Sequence, residues 1–207
     1  MSELLHPNRS ELFPETIETD RLRIDRLSHE NVDLFEYYRI CSSDEGIDEV
    51  TEFLSWDPHK TVRETREFVD MVERQWENGE SAAYLLRPRG TEDGAGDIAG
   101  GAGMSFDWDR KSGTLGVWLR KRFWGRGYSA ERAAAFVELA FDRLGLNVVA
   151  VEHRAGNEKS RRAIEKYVDK FGGTYEGMVR NWAVKAGEAR DQHRYTIRCE
   201  EYREATA

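Results

Sequence analysis

The 207-residue chain is poor in cysteine (two), proline (four) and lysine (seven). Cys41 and Cys199 stand alone and far apart, so nothing points to a stapled secreted fold or a cysteine metal site. No run approaches the 18 or so apolar residues of a membrane-spanning helix. The start, MSELLHPNRSELF, lacks the basic residues and apolar stretch of a signal peptide, and the expectation is a cytoplasmic protein. Internal repeats, low-complexity blocks and linker-like stretches are also missing. The length suits one domain with a real core, or at most two small ones. The reading taken is a single domain over 1–207, with a polar arm at 1–19.

Charge is unbalanced. Lys and Arg total 31 against 39 Asp and Glu, a net charge of −8. So acidic a chain, with no concentrated basic face beyond one turn, is not expected to bind nucleic acid. Lys60, Lys111, Lys121, Lys159, Lys166, Lys170 and Lys185 are all of the lysine, and arginine supplies the remaining positive charge. That composition fits a salt-loving source and, equally well, a high-GC genome.

What the chain does have is concentrated in Leu115 to Ala140, LGVWLRKRFWGRGYSAERAAAFVELA. An uncharged strand, LGVWL, leads into a turn with Gly125 and Gly127. A helix follows from about Ser129, with Ala133, Phe136, Val137 and Ala140 at helical spacing. Strand, glycine turn and helix together suit an anion. The first amides of a helix have no internal partner, the helix dipole places partial positive charge there, and glycine lets the backbone approach closely. Arg120, Lys121, Arg122 and Arg126 add four cations. A plain turn is the competing reading of a lone G-x-G. The P-loop pattern is absent. The dinucleotide fingerprint is met as far as Ala130, but no acidic residue follows at a strand end about 20 residues on.

Arg122-Phe123-Trp124-Gly125-Arg126-Gly127 instead resembles the Q/R-x-x-G-x-G/A acyl-CoA loop of the GNAT N-acetyltransferases. The longer FWGRGYSAE is similar to the branch with the ribosomal-protein N-terminal (RimJ/RimL-type) acetyltransferases. About 100 residues earlier, ETDRLRIDRL resembles that branch's opening strand. The resemblance covers about Glu18 to Tyr202.

Alternation over Arg21–Leu27 predicts a strand. Ser28 is placed as the N-cap of a helix to about Ile40, and Thr61 as the cap of a second helix ending at Asn78-Gly79. Strands are expected at 81–87, 97–106, 114–119 and 147–153, then a helix from Asn157 to about Phe171 and a closing pair at 174–185 and 190–199. Gly145 is expected to close the long helix. The fold class is thus α/β (α+β), a mixed, mostly antiparallel sheet with about four helices. The resemblance implies the GNAT acyl-CoA N-acyltransferase fold, whose central strands, here 114–119 and 147–153, splay apart.

The resemblance further implies acetyl-CoA as co-substrate, no metal, and a primary amine as acceptor: a protein N-terminus, a small molecule or an antibiotic. Pantetheine would pair with backbone near Trp118, Leu119 and Arg120. Amides from Gly125 through Arg126, Gly127 and Tyr128 to Ser129 would hold the diphosphate, with Arg122 and Arg126 adding charge. Asn157 and Ser160 match the family's N-x-x-S element, as pantetheine ligand and as acid near the sulfur, although Asn157 is equally a helix cap. Phe53, Leu54 and Trp56 could line an acceptor pocket or serve as lid packing. Two departures stand out. The family's tyrosine position is Ile164, with Tyr167 one turn later, and its glutamate position before the central-strand glycine is Thr114. His153 and Glu176 are the substitute bases, beside a water relay to no particular side chain. A homodimer is compatible with the resemblance, which no stretch demands. A CoA-binding sensor without transferase activity and a nucleotide-binding regulator are the rival classes.

Overall fold

The computed structural model describes residues 12–207. The sheet has eight strands in the order β1-β2-β3-β4-β5-β6-β8-β7. These are β1 (Thr16–Glu18), β2 (Leu22–Arg26), β3 (Ser81–Pro88), β4 (Gly100–Asp107), β5 (Ser112–Leu119), β6 (Val148–Arg154), β7 (Thr174–Lys185) and β8 (Glu188–Arg198). All neighbours are antiparallel except β5 and β6. That parallel pair follows from its connection, since a helix must cross over between them. The crossover is α4 (Tyr128–Glu138), prolonged by a wider turn over Leu139–Arg143 and closed by Gly145 at φ 64°.

Helices cover both faces. On one side α4 and α5 (Glu158–Lys170) bury Leu22, Ile24, Tyr84, Leu86, Val149, Val151, Phe136 and Ile164 in one core. On the other, α1 (Leu34–Ser43) and α3 (Val62–Glu77) pack Tyr37, Ile40, Val69 and Val72 against Leu27, Leu85 and Ile98. β3 is buried on both faces, so its sequence, SAAYLLRP, shows little polar alternation.

Several expectations are corrected. α1 is capped by Asp33, whose Oδ1 accepts the Glu36 N–H at 2.7 Å. Ser28 is buried in the preceding loop, so the helix starts later and runs to Ser43. Thr61 does cap α3, accepting from the Glu64 N–H. Two helices were not anticipated, α2 (Ile47–Thr51) and α6 (Cys199–Thr206), so the described residues hold six α-helices rather than about four. The expected arm lies outside the described residues over 1–11. Beyond them it is structured, since β1 pairs with β2 and Phe13 is buried beside Trp76. The β7–β8 turn is at Ala186-Gly187, both at positive φ, as a two-residue hairpin requires. Both cysteines are free; burial pushes the Cys41 thiol up to about 12.

Candidate functional site

The central strands part where expected. β5 and β6 pair from Ser112↔Val148 to Leu115↔Val151 and no further. β5 continues to Leu119 with β4 as its other neighbour, and β6 continues to Arg154 with β8. Gly116–Leu119 therefore presents a strand edge to a wedge, and an amide-bearing chain can be held there as an added strand.

The turn after β5 is built to receive an anion. Arg120 donates its N–H to Ala99 O, and Lys121–Phe123 form one tight turn. The Trp124 indole then donates to the Leu119 carbonyl at 2.8 Å. Gly125 and Gly127 take φ 77° and 82°, a region costly for other residues. Among the described residues, none accepts a hydrogen bond from the backbone N–H groups of Gly125 through Ser129. Five consecutive open donors at a helix start form an anion cradle. The space where a Gly125 Cβ would lie is empty to 4 Å.

Glu131, in the first turn of α4, locks this cradle to the sheet. Its carboxylate accepts from the Thr19 hydroxyl, the Arg21 N–H and the Arg21 guanidinium, and Arg21 also donates to Arg126 O. The two stretches of family resemblance thus meet in space. Burial raises the Glu131 carboxyl, but these donors outweigh it and hold it below its usual value of 4.5. Its contribution to stability is therefore present above about pH 5 and lost as pH falls through the lowered value. Glu131→Gln should destabilise the protein by about 2 kcal/mol at pH 7 and by less near pH 3, read by urea unfolding.

The loop cations already have partners. Arg120 is paired with Asp44 (Nε–Oδ2 2.9 Å) and donates to Ile98 O; both side chains are mostly buried, so Arg120 braces the loop against α1 and is not free for phosphate. Lys121 pairs with Glu49, Arg122 with Asp97 at 2.7 Å, and Arg126 with Asp93 at 2.8 Å. These three pairs are exposed and exchangeable. The Trp118 ring turns to the opposite face, edge-on to Trp56 at 5.4 Å and beside Tyr37.

α5 starts at the same place. Asn157 Oδ1 accepts from the Ser160 N–H at 3.0 Å, which is the capping role. Ser160 is half-buried in the first turn, and Lys159 lies over the Trp124 ring at 4.1 Å, joining α5 to the cradle. Ile164 and Tyr167 are buried. Burial pushes the Tyr167 hydroxyl up to about 12, and its electrostatic partner is Arg132, fully buried with no hydrogen-bond partner for its guanidinium among the described residues. Tyr167 is interior.

Neither expected base reaches the wedge. His153 is buried, with Nδ1 at 3.0 Å from Arg154 O and its ring stacked at 4.9 Å on His193 of β8. Burial, helped by His193, holds its pKa below 6.5. The unfolded chain therefore takes up the proton first, so stability rises with pH from the lowered value up to the ordinary value of 6.5. A His153→Gln variant should show a flatter Tm–pH curve over that range. Glu176 is on the edge strand β7, bonded to Thr196, with β8 and β6 between it and the wedge.

The carboxylate whose backbone stands at the start of the splay is Glu152, the first residue of β6 beyond the last β5 pair. It is mostly buried, accepting from Arg194 and from the Trp182 indole (2.8 Å). Two residues on, Arg154 donates to the carbonyls of Glu52 and Leu54, and Lys185 to that of Thr51. These bonds hold the α2–α3 loop, with half-buried Phe53, Leu54 and Trp56, over the same region. The signal for Glu152 lay in VVAVEHR: two charged residues, 152 and 154, on the strand face opposite His153.

The family model of the acetyltransferase (GNAT) domain matches residues 21–167. The uncharacterized N-acetyltransferase p20 of Bacillus licheniformis is 22% identical over 189 residues, spanning 91% of this chain and 98% of p20. YdaF of Bacillus subtilis (strain 168), named as a ribosomal N-acetyltransferase, is 30% identical over 93 residues, 45% of this chain and 49% of YdaF. Among solved structures, the microcin C7 self-immunity acetyltransferase MccE, in complex with acetyl-CoA and AMP, matches with a TM-score of 0.76 at 17% identity, covering 90% of this chain and 98% of MccE; that likeness is one of fold.

Proposed function

Because this chain belongs to the GNAT acetyltransferase family, and so is an acetyl-CoA-dependent N-acetyltransferase, we propose that its acceptor is the N-terminal α-amine of a protein. The continuity of the splayed β5 edge with the five open amides, a track for an amide-bearing arm ending in a diphosphate, carries the acetyl-CoA half of the reading, and the ribosomal acetyltransferase likeness carries the acceptor half. Bound acetyl-CoA supplies an activated thioester. The amides of residues 125–129 hold the anionic end, and the Gly116–Leu119 edge orients the arm.

The acceptor arrives under the 51–57 loop. Glu152 receives its ammonium and takes the proton that must leave before attack, directly or through one water. A backbone N–H near Leu119 faces the developing oxyanion. The second amine proton leaves the tetrahedral intermediate to the Ser160 hydroxyl, at the start of α5, which passes its own proton to the departing thiolate. The YdaF and RimJ/RimL-type likenesses favour a ribosomal protein as the acceptor's source.

The test is mass-spectrometric detection of acetylation on a panel of N-terminal peptides beside small primary amines. Acetyl at the α-amine of peptides supports the reading. Turnover confined to small amines would replace it with a small-molecule acetyltransferase. Tight CoA binding without turnover would leave a sensor.

A further inference from the structure

The β3–β4 loop carries three carboxylates within six residues, Glu92, Asp93 and Asp97, and all three engage the anion cradle. The Tyr128 hydroxyl donates to Glu92 Oε2 at 2.6 Å. Arg126 donates to Asp93 Oδ2 at 2.8 Å and to the Asp93 carbonyl at 2.9 Å. Arg122 donates to Asp97 Oδ2 at 2.7 Å. The Phe123 ring lies between loop and cradle, with the Arg122 and Arg126 guanidiniums over it at 4.5 and 5.0 Å. Gly94 sits so close to that ring that a Cβ would come within 3.0 Å of it.

We propose that residues 89–97 form an acidic strap that competes with the cofactor's diphosphate for Arg122, Arg126 and Tyr128, and so sets acyl-donor affinity through ionic strength. This rests on the acetyl-CoA reading of the site. The cradle's backbone donors stay open while its side-chain cations are neutralised from within the chain. A dianionic group settling on 125–129 meets the carboxylates as well as the guanidiniums. The strap is releasable, because the Arg122 and Arg126 pairs are exposed and such pairs are weak. Gly90, Gly94 and Gly96, at φ 66°, 78° and 86°, supply its turns. Its base is fixed by Gly96 N–H to Pro88 O and Arg89 N–H to Arg21 O, so the tip between moves while the ends hold.

The sign of the salt effect follows. Salt weakens binding of an anion by an unmasked cationic loop. Here salt also loosens the strap, and the two effects oppose, so the wild-type affinity is nearly flat in salt. Calorimetry with free CoA at about 0.05 M and 1 M NaCl tests this on wild type, on Asp93→Asn/Asp97→Asn and on Glu92→Gln. At low salt the double variant should bind CoA about five- to tenfold more tightly than wild type. At 1 M, where screening is nearly complete, the two should agree within about twofold. Glu92→Gln should shift the same way by a smaller factor, which covers the case of a poorly folding double variant. Equal or weaker low-salt binding by the folded variants overturns the strap and makes the loop a scaffold. Failure of wild type to bind CoA at either salt overturns the cofactor reading itself, and the strap with it.

Discussion

Gly125→Val/Gly127→Val should lower CoA affinity at least about a hundredfold, corresponding to ~2.7 kcal/mol of binding. Two causes act together. Both glycines lie at positive φ, where a β-branched residue is strained by roughly 1–3 kcal/mol, so the loop shifts away from its present shape. At Gly125 the new side chain enters open space and at Gly127 it meets the Arg21 guanidinium at 3.4 Å, and both stand beside N–H groups for which no described residue is an acceptor. The open space at Gly125 should limit the thermal cost of that half of the change. Calorimetry against CoA, with a melting curve as control, decides it. A loss under tenfold in a folded variant would mean the diphosphate is held by side chains and not by the amides.

The second large effect should come from Glu152. Glu152→Gln keeps the shape and keeps an oxygen for the Trp182 indole, but removes the carboxylate proposed to receive the acceptor's ammonium. A general base contributes typically 10²–10⁴-fold, so kcat should drop by roughly 10²–10³. The KM for acetyl-CoA should stay within about threefold, because the cradle is untouched. Glu176→Gln and His153→Gln should each cost less than about threefold in kcat, since neither side chain faces the wedge. Steady-state kinetics on the three variants separate the assignments. An unchanged kcat in Glu152→Gln would return the proton to bulk water.

These contrasts show which parts of the molecule could be read locally. The cradle was legible because strand, glycine turn and helix are consecutive, and the needed φ values leave a mark in residue type at 125 and 127. The caps at Thr61 and Asn157 were legible for the same reason: donor and acceptor lie three residues apart. The α1 cap was misplaced because Ser28 and Asp33 are both competent, and the choice is made by burial of Ser28 against the rest of the fold. Partners of the four loop cations come from Asp44, Glu49, Asp93 and Asp97, between 25 and 76 residues away, and no local pattern joins them. Glu152 was passed over for a related reason. It looks like any strand carboxylate until the register shows that β5 stops pairing one residue earlier. His153, read as a strand-end base, turned out to be on the opposite, α5-covered face.

The hold on the 51–57 loop, proposed to roof the acceptor, has an evolutionary side. Arg154 and Lys185 grip residues 51–54 through carbonyl oxygens, which every amino acid carries. Phe53, Leu54 and Trp56 can therefore be exchanged without undoing the anchor that positions them. Glu152, the wedge and the cradle lie on other elements and need not change in step. A lineage could sample new acceptors by drift in three or four side chains while the acyl-donor machinery stays constant, so that selectivity for the amine diverges faster than chemistry.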